Sequence, residues 1–254
     1  MKKTIKQLFI YGIAGCSFTG LAHAMPMSMS DSFARFSNLT IITSGDVSII
    51  DPESSTYAEA EDDLIWDFQD HDDLSTDSVS SAVSSFGSAL AQTTNTSLHA
   101  GVAASSDLSS PWGVAWASAY QSYWIYADAS GLGGTVTITA DYEIEQSLTT
   151  SAAGDFAGAY SIAYMAIGEW GSGSILAEAY EELGMGVENG ADFVDSLSGT
   201  MTVSLWFDAG EEGWTETIAY SETYVESIPL PSSVLLIGLG LTGLWFIRRT
   251  VQNV

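Results

Sequence analysis

From Gly134 to Leu148 the even positions Val136, Ile138, Ala140, Tyr142, Ile144 and Leu148 are apolar or aromatic, whereas the odd positions are Thr, Asp, Glu or Ser. A helix would put Thr139 and Glu143 on the face of Val136, so the period is two and the segment reads as a half-buried strand. In the preceding segment Trp112, Val114, Trp116, Tyr120, Trp124 and Tyr126 share one parity, and the other parity is mostly Gly and Ala. That aromatic face can serve as a sugar-stacking surface, but alternating aromatics are what a sandwich buries, so Trp112, Trp116 and Trp124 are expected in the core.

The same alternation recurs at Phe156, Tyr160, Ile162 and Tyr164, at Met201, Val203, Leu205 and Phe207, and at Trp214, Ile218, Tyr220 and Tyr224. Turn signals separate these runs, among them Ser130 to Gly134, Thr150 to Asp155 and Asp208 to Gly213. Ser174 to Leu183 fits either strand or helix, and Ser32 to Thr43 and Ser80 to Ser105 read as weaker strands rich in Ala and Ser. Seven to ten short strands without an amphipathic helix between them predict an all-β chain, an antiparallel β-sandwich of jelly-roll-like form.

Both ends break the pattern. Lys2, Lys3 and Lys6 precede an apolar stretch from Leu8 to Leu21 that closes on Ala22-His23-Ala24. This is the charged, apolar and small-residue order of a secretory signal peptide, with cleavage by signal peptidase expected after Ala24. Ile13-Ala14-Gly15-Cys16 offers a lipobox-like alternative in which Cys16 is lipidated. At the other end, Ile228-Pro229-Leu230-Pro231 leads into the apolar, Gly-rich run from Val234 to Ile247, and Arg248-Arg249 follows. As a helix that run would measure about 21 Å, against a hydrocarbon core of about 30 Å, a mismatch that Ser232, Ser233 and a snorkelling Arg248 narrow. Positive residues at both ends stay cytoplasmic, so everything between them is expected outside. The chain therefore divides into a signal peptide (1–24), an acidic β-domain (25–227) and a C-terminal tail (228–254).

The order of Pro229, Leu230 and Pro231, the apolar helix and the pair Arg248 and Arg249 resembles the tail of PEP-CTERM sorting-domain proteins, in the variant whose motif reads Val-Pro-Leu-Pro-Ala. Ile228 stands where that motif has Val and Ser232 where it has Ala. The resemblance implies recognition by an exosortase, a membrane-embedded processing enzyme, in bacteria that make extracellular polysaccharide. The Ala/Ser ladders followed by a Gly-Thr-Val-Thr strand also resemble β-domains found ahead of such tails. An ordinary C-terminal anchor with flanking arginines is the alternative reading of the same tail. Either way the expected location is the envelope, outer surface or extracellular matrix of a Gram-negative-type bacterium, reached through the secretion machinery, with the C-terminal helix as a transient membrane anchor.

Charge sharpens the reading of the middle. The chain holds 32 acidic and 6 basic residues, and all the bases except Arg35 lie in the two end segments, which contain no acid. A field of that sign repels phosphates, so nucleic acid is excluded as a partner. The 46% of apolar and aromatic residues argues against wholesale disorder.

Nine of these acids crowd into the 19 residues from Glu59 to Asp77, read as a long exposed loop. Asp62, Asp63, Asp67, Asp70, Asp72 and Asp73 make it a candidate calcium site, since closely spaced carboxylates supply hard oxygen ligands. The run lacks the spacing and the glycine of an EF-hand loop, and Trp66 and Phe68 interrupt it, so a solvated charged loop is the plainer expectation. No other cofactor is expected. Cys16, the only cysteine, leaves with the signal peptide, and the β-domain has no lysine and just two histidines, His71 and His99. Thiol and Schiff-base chemistry are thereby excluded, and no nucleophile-elbow spacing supports a Ser/His/Asp triad. Paired carboxylates are inevitable among 32 acids and so identify no hydrolase. A non-enzymatic surface or matrix protein with a structural or adhesive role is the leading expectation. A carbohydrate-binding module is the alternative and a secreted polysaccharide hydrolase the second. Trp170 and Trp214, beside glycines near expected turns, are the candidate sugar-stacking residues, with extracellular polysaccharide as partner.

Overall fold

The computed structural model describes residues 28–107, 110–151 and 154–227. These residues are all-β and form twelve strands in two antiparallel six-stranded sheets. In chain order the strands are β1 (Ser28–Thr43), β2 (Val47–Asp62), β3 (Trp66–Asp73), β4 (Ser78–Val83), β5 (Gly87–Thr94), β6 (Ser97–Ser106), β7 (Trp112–Ala127), β8 (Gly134–Thr150), β9 (Phe156–Glu169), β10 (Ile175–Glu188), β11 (Asp192–Phe207) and β12 (Glu212–Glu226). The first sheet runs β11-β8-β1-β6-β5-β4 and the second β10-β9-β12-β7-β2-β3. The strands are more numerous and longer than their turn signals suggest, β8 reaching 17 residues. The ambiguous 174–183 segment lies in β10 from Ile175 onward, where pairing with β9 supplies the hydrogen bonds a helix would have made internally.

The expected alternation holds in β8, where Val136, Ile138, Ile144 and Leu148 are buried, and in β11, where Met201, Val203 and Phe207 are. In β7 it is inverted. Ala115, Ala117, Ala119 and Ile125 point inward, and Trp116, Tyr120 and Trp124 lie on the opposite, partly exposed side. The same inversion puts Ala157, Ala159 and Ala163 of β9 and Thr217, Ala219 and Ser221 of β12 inside, with their tyrosines outward. Rings were expected in the core because of their area; the core instead takes the small residues, because the two sheets meet closely. Ser32 of β1 and Ser161 of β9 bond hydroxyl to hydroxyl across the gap at 2.5 Å, and Ser161 continues to Ser221 at 2.7 Å. Sheets held apart by large side chains could not make that bridge. Thr56 with Ser78 and Ser80, and Ser106 with Ser227, satisfy further buried hydroxyls in the same way.

The acidic segment is a strand pair rather than a loop. Glu59 to Asp62 end β2, a short turn follows, and Trp66 to Asp73 form β3, the outermost strand of the second sheet. Asp62 is buried in the turn, where one carboxylate oxygen accepts the Leu64 and Ile65 N–H groups at 2.7 and 2.9 Å and the other accepts Phe86 N–H at 3.0 Å. Asp67 and Gln69 accept the Val83 and Ser81 N–H groups of β4 at 2.9 and 2.7 Å. The edge of one sheet is thus capped by side chains from the edge of the other, and the charges of β3 discourage pairing with a further chain.

The signal-peptide residues Ala22 and Ala24, the tail residues Pro229, Leu230, Pro231, Arg248 and Arg249, and the expected C-terminal helix lie outside the described residues.

Candidate functional site

The outer face of the second sheet collects the outward positions of β7, β12, β9 and β2 into register rows. In one row Trp124 stands between Ile50 and Trp214, and Gly168 lies beyond Trp214. Trp214 can extend over β9 because Gly168 has no side chain; a Cβ there would collide with the indole. The β9–β10 turn, with Gly171 and Gly173 at φ of 68° and 63°, brings Trp170 back over the sheet. Trp170 is anchored by its N–H to the Glu212 carbonyl at 2.9 Å, and its ring meets Trp124 at 4.2 Å between centroids, tilted by 54°. A bulge at Asp51–Pro52 in β2, where Asp51 has φ of 51°, interrupts the register just before Glu53.

Together these elements form an open groove of about 720 Å³ lined by Trp124, Trp170, Trp214, Tyr120 and Tyr123, with Glu53, Glu216, Ser122, Asp51, Pro52 and Leu74 at its margin. Burial raises the Glu216 carboxyl above its ordinary range. Burial also raises the Tyr120 phenol, and the charges of Glu216 and Glu53 add to it while a Ser122 hydrogen bond opposes. The groove thus offers flat apolar ring faces and hydrogen-bonding groups at the edge, an arrangement suited to a ligand with one apolar and one hydroxylated side.

The two sequence candidates Trp170 and Trp214 are therefore brought together, and both are accessible. Trp124 was expected in the core, and Tyr120 and Tyr123 were not singled out. For Trp124 and Tyr120 the clue was the Gly/Ala parity of 112–126, which marks the close-packed side and so the ring side as the outside, whereas Tyr123 shares the Gly/Ala parity and no local signal marks it.

The calcium candidates are not brought together. Asp62 spends both oxygens on backbone N–H groups, and although burial pulls its carboxyl upward, these bonds and one from Ser84 outweigh it and hold the carboxyl below its ordinary range. Asp63 sits in the exposed turn, and strand alternation sends Asp67 and Asp73 to one side of β3 and Asp70 and Asp72 to the other. Among the described residues no group of three or more His, Cys, Asp or Glu side chains is placed to hold a metal ion. Trp66 and Phe68 stack at 5.0 Å, and Trp66 donates to Glu59 at 2.7 Å. Of the histidines, His71 is exposed beside Asp73, and His99 packs on the outer face of the first sheet, 6.0 Å from Phe33.

No family model matches the chain, and no curated protein matches it in sequence. Among solved structures, a vicilin from Solanum melongena is similar at 9% identity, covering 79% of this chain and 71% of that one, with a TM-score of 0.11, a likeness too slight to carry any argument.

Proposed function

We propose that the protein is exported and acts, without catalysis, as an adhesive component of the cell surface or extracellular matrix, binding polysaccharide through the tryptophan groove. The observation that carries this reading is the convergence of Trp124, Trp170 and Trp214 from three separate chain segments onto one accessible groove. Exposed rings cost solvation that a monomer ordinarily avoids, and sugar rings offer the C–H faces that stack on them. The fold belongs, in this reading, to the jelly-roll-like sandwiches. The signal-peptide order around Ala22 and Ala24 and the Pro229-Leu230-Pro231 tail support secretion and exosortase-type sorting in a Gram-negative-type bacterium, with the helix before Arg248 and Arg249 as the transient anchor.

The test is a glycan array probed with the secreted protein and with its Trp170→Ala/Trp214→Ala variant. Binding by the first and a loss of about thirtyfold or more in the second is expected, the scale of removing central aromatic anchors. A wild-type protein that binds no glycan sinks the adhesive reading of the groove. The intact mass of the natively produced protein tests export: cleavage after Ala24 and within the tail is expected, and recovery from cytosol with Met1 and Val254 both in place overturns it.

A further inference from the structure

The same outer face carries a second aromatic hollow, at the far end of β12 from Trp214. It encloses about 410 Å³ and is walled by Trp116, Phe156, Tyr160 and Tyr224, with Glu222 beside them. Gly158 and Gly186, paired across β9 and β10, form its floor. A Cβ on Gly158 would come within 2.9 Å of the Phe156 ring and one on Gly186 within 3.0 Å, so bare backbone is what lets that ring lie across both strands. Phe156 and Tyr224 are 5.9 Å apart between centroids.

The phenols point their protons at carboxylates. Tyr160 donates to Glu182 at 2.7 Å, Tyr224 to Glu226 at 2.8 Å, and Tyr220 to Glu222. The bond to Glu182 pushes Tyr160 up to about 12, and burial with the Glu226 bond does the same for Tyr224. Between the hollows the face is continuous, through the row Tyr120, Ile218, Tyr164 and Tyr180 and the row Ser118, Tyr220 and Ile162. Trp214 and Tyr224 are ten positions apart on β12, roughly 34 Å at about 3.4 Å per residue. A compact ligand cannot touch both.

Resting on the glycan-binding reading, we propose that β7 and β12 carry one track on which a single linear amino-sugar polymer occupies both hollows. Length follows from the two ring clusters at either end of a continuous face. Charge selects the polymer: Glu53 and Glu216 border one hollow, Glu222 the other, and Glu178 and Glu182 flank the middle. The only base of the described residues, Arg35, belongs to β1 in the other sheet, where it pairs with Glu143. Ammonium groups are matched on such a surface and uronates repelled.

The test measures, by calorimetry on the full secreted protein, glucosamine oligomers of two and of eight units, the N-acetylated eight-unit chain and an alginate oligomer. The eight-unit glucosamine chain is expected to bind about a hundredfold more tightly than the two-unit one, the modest end of the gain from joining two sites. Trp116→Ala/Phe156→Ala should abolish that gain and leave two-unit binding at the tryptophan groove intact, and Gly186→Val, which removes no ring but pushes Phe156 off the floor of the hollow, should do the same. The N-acetylated chain should bind more weakly and alginate not at all. Equal affinity for both lengths, a length gain that survives both variants, or alginate binding as tight as glucosamine overturns the track, while two-unit binding lost on Trp170→Ala/Trp214→Ala would leave the single groove standing. Failure of the wild type to bind any of these oligomers overturns the track, and a silent glycan array beside it removes the groove as well.

Discussion

The two outer faces of the sandwich carry opposite chemistry. On the first sheet Thr137 meets Ser204 at 2.9 Å, Thr139 meets Thr202 at 3.2 Å, and Asp141 accepts from Asn38 and Thr200 at 2.8 and 2.7 Å. On the second sheet the equivalent positions are rings and carboxylates. The inner faces differ in the reverse sense. The first sheet contributes Phe36, Leu98, Ile138, Ile144, Met201 and Phe207 to the core, and the second contributes mainly Ala, Ser and Thr, with Ile125, Met165 and Ile167 towards one end. Across β8 and β11 large residues of the first sheet meet small ones of the second, whereas β4, β5 and β6 present alanines to the alanines of β2 and β7. A sheet with alanine inside can place its aromatic area outside, where the rings stay accessible instead of filling a core.

The most direct way to break that contrast is to put bulk on the wrong side. Ala163→Leu, fully buried on β9, should cost about 3 kcal/mol in urea unfolding, because the facing sheet has no room to yield. On the outward side of the same strand Tyr164→Phe should change stability by less than about 0.5 kcal/mol. Equal effects would mean that the inner and outer sides are wrongly assigned.

A pH scan separates the faces next. Burial, with the charge of Arg35 added, lowers His99 on the first sheet to about 4. Because the unfolded imidazole takes a proton near pH 6.5 and the folded one does not, stability is full above that pH and is lost as pH falls towards 4. His99→Phe should remove about 2 kcal/mol of that acid-side loss, read as a flatter melting temperature between pH 6.5 and 4. An unchanged slope would put the titration elsewhere.

Asp62 sharpens the comparison from the seam, since its carboxylate ties the β2–β3 turn of one sheet to Phe86 of the other. Asp62→Asn should cost about 1.5 kcal/mol at neutral pH. With its folded pKa held below the ordinary value, the wild-type advantage is present above about pH 4 and vanishes as pH falls through the folded value. A deficit that persists in strong acid would point to packing instead. Smallest of all, Thr139→Val on the hydroxyl face should shift stability by no more than about 0.5 kcal/mol and leave glycan binding untouched. A binding loss there would assign ligand contact to the wrong sheet.

Much of this was legible along the chain. Period-two alternation located β7, β8, β9, β11 and β12, and the glycines beside Trp170 and Trp214 picked out two residues that share the groove. What failed was the side. Alternation in β7 reads identically whether the rings or the alanines face inward, and only the facing sheet decides, because it stands close enough for the Ser32 and Ser161 hydroxyls of β1 and β9 to meet across the gap. The acidic segment failed for a related reason. Nine carboxylates outweigh strand propensity in a local reading, yet β3 stands at an edge where charges remain in water and Asp67 and Gln69 serve β4.

The sequence by itself determined the all-β class, the places of most strands, the strong negative charge and the lack of thiol and lysine chemistry in the middle region, since each depends on residue identity and short spacing. Tertiary structure decided which face became core and which became surface, and it brought Trp124, Trp170 and Trp214 together. Those outcomes depend on the distance between sheets and on the register between strands far apart in the chain, quantities that no local window of residues contains.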